Sequence, residues 1–175
     1  SSFTTGANNG TITLDLANVL TGTVALNTSG SGHALVDNGT TALNMAASTV
    51  GGNLTLTSGH ASGIIDSGPG TVAVGRNLVA TTDAANGLIN LGTLAVDGTV
   101  ALTTHGSGNA TVVNDAGLTF AAATVGGALN ATATTSHMTD NGALTIAGTS
   151  SFTTSADNAT IALDTTTNAF TGAVT

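Results

Sequence analysis

The sequence predicts an all-β fold, a right-handed parallel β-helix of about seven coils, each of 21–30 residues, with tandem repeats of about 75 residues. Three observations carry this expectation. The chain repeats itself: TVGGNLTLT at Thr49–Thr57 returns one repeat later as TVGGALNAT at Thr124–Thr132. A finer rhythm of glycine followed by an apolar pair at i, i+2 divides each repeat. Period-two alternation occurs throughout, and no segment sustains the 3.6-residue period of a helix.

The long repeat extends on both sides of the echo. GTVALNTSGSG at Gly22 matches GTVALTTHGSG at Gly98, and SSFTTGANNGTITLD at Ser1 matches SSFTTSADNATIALD at Ser150, an offset of 149. The match across two repeats is thus closer than the match across one. The units run 1–75, 76–150 and a partial third over 151–175, all within one continuous solenoid segment.

The strands follow in order. Ile12, Leu14 and Leu16 alternate first. The glycine-marked pairs come next: Gly22 with Val24 and Leu26, Gly52 with Leu54 and Leu56, Gly75 with Leu78 and Ala80, Gly98 with Val100 and Leu102, Gly127 with Leu129 and Ala131, Gly148 with Phe152 and Thr154, and Gly172 with Val174. The spacings fall as long-short-short twice over: 30, 23, 23 and then 29, 21, 24. Between them lie Val72–Val74, Leu94–Val96, Leu118–Phe120, Leu144–Ile146 and Ile161–Leu163. Thr and Val fill many of these positions, as β-propensity favours. Corners rich in Asn, Asp and Gly end at Gly10, Gly39, Gly68, Gly87, Gly117, Gly142 and Ala159; these residues tolerate positive φ and bond their own backbone. Short strands with no helix between them bury a face only by stacking on the equivalent strands of the next coil. A β-sandwich built from one repeat would need about seven strands around a larger core, which the scarcity of aromatics and the finer rhythm oppose.

Composition narrows the function classes. Only 6% of the 175 residues are charged, the net charge is −8, and every acid is Asp. An acidic surface repels phosphate, which argues against nucleic-acid binding and against anionic membranes. No apolar run is long enough to insert in a membrane. The chain has no Cys, Trp, Tyr, Lys or Glu, and Arg76 is its one strong base. Asp37, Asp66, Asp115, Asp140 and Asp157 fall beside corner residues, where turn chemistry accounts for them. A calcium ion wants six to eight oxygens, and no GGxGxD run is present. His33, His60, His105 and His137 lack zinc-ligand spacing. The carboxylates are not grouped as glycoside hydrolysis requires, and no nucleophile elbow occurs. Ice binding would need a Thr pair at one position in every coil, which the coils at Gly22 and Gly98 do not offer. The seven N-x-[ST] sequons are about what the Ser, Thr and Asn content gives by chance. No catalytic, cofactor-binding or metal-binding residue is assigned, and no enzyme activity is expected.

VGGNLTLT, GTVALTT and NAFTGAVT resemble the repeats of large bacterial exoproteins, the filamentous-haemagglutinin-like adhesins and related autotransporter passengers. That resemblance implies a β-helical stalk at the bacterial cell surface, with adhesive function in other segments; the family's secretion domain has no counterpart in these residues. The expected function is a structural stalk or fibre segment of an extracellular adhesin. Its partners would be neighbouring repeats or identical subunits end to end. The other readings are a self-assembling fibre or surface-layer subunit, and a solenoid face that binds glycans. The repeat phase at both termini suggests a stretch of a longer array.

Overall fold

The computed structural model describes all residues, Ser1–Thr175, as 21 β-strands with no helix. Strands are numbered along the chain. The first sheet holds β1 (Ser2–Asn8), β3 (Thr23–Ser29), β5 (Leu43–Met45), β6 (Ser48–Val50), β8 (Ile64–Asp66), β9 (Val72–Val74), β11 (Ile89–Val96), β13 (Ala110–Asn114), β16 (Leu129–Ala133) and β19 (Ser150–Thr154). The second holds β2 (Ile12–Leu14), β4 (Ala34–Asp37), β7 (Leu54–Ser58), β10 (Leu78–Ala85), β12 (Thr99–His105), β14 (Leu118–Phe120), β15 (Ala123–Val125), β17 (Met138–Asp140), β18 (Leu144–Ile146), β20 (Ile161–Ala162) and β21 (Ala169–Phe170). The pairings are parallel and join each strand to one a coil away, so the chain is a parallel β-solenoid of about eight turns.

The register gives the coil length. In the second sheet Ile12 pairs with Ala34, Ala34 with Leu54, Leu54 with Leu78, and Leu78 with Val100. In the first, the step from Ile64 to Ile89 is the longest and the step from Ala110 to Leu129 the shortest. The coils are therefore shorter and more numerous than expected. The reason is that the glycine marks are not all equivalent. Gly22 introduces β3 of the first sheet, whereas Gly52 introduces β7 of the second. The two long glycine spacings each span one and a half coils, and the short ones span one.

It follows that one repeat is three and a half coils. Copies one repeat apart lie on opposite sheets: β3 and β12, β6 and β15, β7 and β16. Copies two repeats apart return to the same sheet, β1 with β19 and β2 with β20. This explains why the two-repeat match is the closer one. The bonds repeat along with the sequence. Thr28 Oγ1 donates to Gly32 O and accepts from Gly51 N–H (2.8 and 3.1 Å) on one side; Thr104 Oγ1 donates to Gly108 O and accepts from Gly126 N–H (2.7 and 3.0 Å) on the other.

Most coils carry three strands, because one side bends. Ala46–Ala47 separates β5 from β6, and Ala121–Ala122 separates β14 from β15. The bent side is the first sheet before β11 and the second sheet after β12, as the half-turn relation requires. At the first bend Ser48 is buried, and its hydroxyl accepts the Leu26 N–H at 3.0 Å where backbone pairing lapses.

Inside, 34 buried apolar residues form one continuous core. The i, i+2 pairs point inward as the alternation predicts: Val24, Leu26, Leu54, Leu56, Leu78, Ala80, Val100, Leu102, Leu129, Ala131 and Phe152 are all buried. Leu16, Ile161 and Val174 depart from that pattern. Leu16 lies beyond the end of β2 and is 79% exposed, and Ile161 and Val174 belong to the last coil. Phe3, in the first coil, packs against the core, and the other three aromatics form an edge-to-face file of Phe120, Phe152 and Phe170 with centroids 6.5 and 5.8 Å apart.

Corners stack as closely as strands. Gly30 and Gly106 have positive φ, and a Cβ on either would meet an Asn Oδ1 of the preceding coil at 2.1 and 2.5 Å. The glycines of TVGG have the same role. A Cβ on Gly51 would lie 1.8 Å from Gly30 O, and one on Gly126 would lie 2.2 Å from Gly106 O. The motif recurs because a corner must pass directly over the backbone of the corner beneath it.

Candidate functional site

The surface offers ladders, since an outward residue on a paired strand has a counterpart in the neighbouring coil. The longest is threonine. Thr57 pairs with Thr81, Thr81 with Thr103, Thr103 with Thr124, and Thr124 with Thr145. These side chains alternate with buried neighbours and face outward from the second sheet. Successive hydroxyls and methyls stand roughly 4.8 Å apart by strand spacing. Asp37 precedes the ladder and Ala169 follows it. The sequence hid this row: its members are spaced unevenly and straddle the point where the repeat changes sheets.

A second ladder is made of side-chain acceptors. Asn53 N–H donates to His33 Nδ1 (2.8 Å), Asn77 N–H to Asn53 Oδ1 (3.2 Å), and Thr99 N–H to Asn77 Oδ1 (2.9 Å). Half a turn away, Ala128 N–H donates to Asn109 Oδ1 at 2.8 Å. His33 and Asn109 occupy equivalent repeat positions and accept the equivalent N–H, so His33 is a corner residue. The other histidines are also exposed and tied to backbone. His60 Nδ1 accepts Ser62 N–H (3.0 Å), His137 Nδ1 accepts Thr160 N–H (3.0 Å), and His105 Nδ1–H donates to Thr82 O (2.8 Å).

Three of the corner aspartates serve the backbone directly. Asp37 Oδ1 accepts Gly39 N–H in an Asx turn (2.8 Å). Asp66 accepts the N–H groups of Gly92 and Thr93 in the next coil, both at 2.8 Å, and Asp140 accepts those of Asp164 and Thr165. The structure shows no such bond for the carboxylates of Asp115 and Asp157. No three His or Asp side chains converge. The one surface depression lies over β6, β9 and the end of β11. Thr49, Gly51, Ala73, Gly75 and Ala95 line it, and Asp97 is its only ionisable residue.

Two residues gain importance that turn chemistry alone does not suggest. Asn38 and Asn114, one repeat apart, are 0% and 1% exposed. Asn114 Oδ1 accepts Val96 N–H (2.8 Å), while its Nδ2 donates to Val96 O (3.0 Å) and Gly117 O (2.6 Å). Asn38 does the same with Leu20 N–H, Leu20 O and Ala42 O at 2.8, 3.1 and 2.9 Å. Each amide thus closes its own corner and clamps the coil before it. These are the two fully buried asparagines of the molecule, and their work is architectural.

With this geometry in view, one comparison is informative. Residues 107–175 match the model of a family described as repeats of unknown function (DUF5649). The matched stretch includes β13 to β21, three consecutive coils with the Asn114 corner. It supports a repeat protein and carries no activity. The chain matches no curated protein and no solved structure.

Proposed function

We propose that this chain is a stalk segment of a secreted or surface-displayed bacterial fibre, supplying reach and rigidity. The observation that carries the reading is the repeat phase. Two repeats make seven coils, so SSFTT at Ser1 and SSFTT at Ser150 fall on the same sheet, β1 paired with the coil after it and β19 with the coil before it. Such a unit can be added in series without breaking the hydrogen-bonded ladder or the core. The committed polar groups bind the chain's own backbone, which suits a mechanical role. The extracellular and adhesin parts of the proposal rest on the resemblance of VGGNLTLT, GTVALTT and NAFTGAVT to exoprotein repeats. The test is cryo-electron microscopy of the full-length native protein. A rod with an axial spacing of about 4.8 Å and coils in covalent series supports the stalk. Separate globules, or a rod of many short chains end to end, would replace it.

A second reading is favoured by the threonine ladder. Five hydroxyls in file on one face form an uncharged hydrogen-bonding strip that a glycan could follow. Binding on a glycan array that is lost in a Thr103→Val, Thr124→Val double variant would support it; binding that survives would place recognition elsewhere.

A further inference from the structure

We propose that Asn141 is a site of spontaneous chemical modification, converting from asparagine to aspartate and isoaspartate in the folded protein. The chain contains four Asn-Gly pairs: Asn9–Gly10, Asn38–Gly39, Asn86–Gly87 and Asn141–Gly142. Glycine has no Cβ, so the backbone nitrogen after the asparagine can reach the side-chain carbonyl. In the reaction that nitrogen, having lost its proton to solvent base, attacks Cγ. The new N–Cγ bond closes a five-membered imide, the Cγ–Nδ2 bond breaks, and ammonia leaves. Water then opens the ring at either carbonyl, giving aspartate or the isoaspartyl linkage.

The fold guards three of the pairs and leaves one open. Gly10 N–H donates to Ala7 O (3.0 Å), Gly87 N–H to Ala84 O (3.1 Å), and Gly39 N–H to Asp37 Oδ1 (2.8 Å), so each attacking nitrogen is held. The target amides are held too. Asn9 Oδ1 accepts Ser31 N–H, Asn86 Oδ1 accepts Ser107 N–H, and Asn38 is buried with three bonds. Even Asp97–Gly98, which can close the same ring with loss of water, has its nitrogen donating to Arg76 O. Asn141 is exposed, its side chain makes no hydrogen bond, and Gly142 N–H donates to no acceptor in the protein. The half-turn counterpart of Asp140-Asn141-Gly142 is Asp66-Ser67-Gly68, where Ser67 N–H and hydroxyl both bond Asn44 Oδ1. The reactive pair therefore belongs to one copy of the repeat. Its product adds a negative charge beside Asp140. In the isoaspartyl form it also adds a backbone atom to the corner between β17 and β18, where Asn141 N–H holds Phe120 O. Residence time is thereby recorded as an irreversible change at one corner.

The test incubates the intact chain at neutral to mildly alkaline pH in ¹⁸O-water, folded and in urea, and maps the four Asn-Gly peptides by mass spectrometry with fragmentation that separates isoaspartyl from aspartyl. The expected result is amide-to-acid conversion with label uptake at Asn141 in the folded chain, at least tenfold faster than at Asn9, Asn38 or Asn86. In urea the four should converge. An Asn141→Ser variant should keep the parent's thermal melt and lose the signal. No conversion at Asn141 in the folded chain, or equal conversion at any guarded pair, overturns the proposal.

Discussion

At the scale of single residues, buried amides and crowded glycines set the corners. Replacing Asn114 with Ala leaves Val96 N–H, Val96 O and Gly117 O without their side-chain partner. A buried unpaired group costs roughly 1–3 kcal/mol, so the variant should lose about 3 kcal/mol in denaturant unfolding. An Asn114→Ala chain as stable as the parent would mean that water reaches this corner. Glycines divide sharply by what lies above them. A Cβ at Gly51 would meet the Gly30 carbonyl, whereas one at Gly22 meets nothing within 4 Å. Gly22→Ala should therefore be neutral or stabilising by up to about 1 kcal/mol, and Gly51→Ala should lower the melting temperature clearly. Gly22 and Gly52, the neighbour of Gly51, carry the same glycine mark in the sequence, yet a Cβ on Gly52 would also press on the backbone of the coil beneath, at Ser31 O, and only the stacking distinguishes the two. The same holds for Asn38 and Asn114. Their Asn-Gly and Asn-Asp contexts read correctly as corners, but burial depends on the preceding coil, through Leu20 and Val96, which local sequence does not reveal.

At the scale of elements, the alternation was readable because the physics is local. A strand with one face in a core must alternate, and the pairs from Val24–Leu26 to Leu129–Ala131 did so and are buried. Bends were not readable, since Ala46–Ala47 and Ala121–Ala122 look like continuations of the strands they interrupt. The central strand β12 tests how far a coil depends on its neighbours. It pairs with β10 on one side and with β14 and β15 on the other, and Leu102 is fully buried between them. Leu102→Ala should cost about 3 kcal/mol through lost burial and the cavity left behind. Leu102→Asp should cost more, because the carboxylate has no partner in an apolar core. In hydrogen exchange, the protection lost in Leu102→Asp should spread first to β10, β14 and β15 and least to β1 and β19, since coils contact chiefly their neighbours. Uniform loss across all coils would show a single cooperative unit instead.

At the scale of the whole molecule, the sequence revealed the repeat but not its geometry, because a copy looks the same on either face. The structure resolves this through the half turn, and the half turn can be measured directly. Thr57 and Thr124 lie on one ladder of the second sheet, three pairings apart. Thr49 lies on the first sheet yet shares the TVGG context of Thr124. Both pairs are separated along the axis by a similar rise, about 14 Å for three coils and about 17 Å for three and a half at strand spacing. The Thr49–Thr124 pair must also cross the core, where packed sheets stand roughly 10 Å apart. The chain has no cysteine, so Thr→Cys pairs can carry spin labels without background. The Thr49–Thr124 distance should exceed the Thr57–Thr124 distance by several ångströms, with outward-pointing labels widening the difference. Equal distances would place equivalent repeats on one face, make the repeat a whole number of coils, and remove the phase argument on which the stalk proposal stands. The expected result would mean that a longer array shows each surface motif on alternate sides of the rod, and on the same side every second repeat.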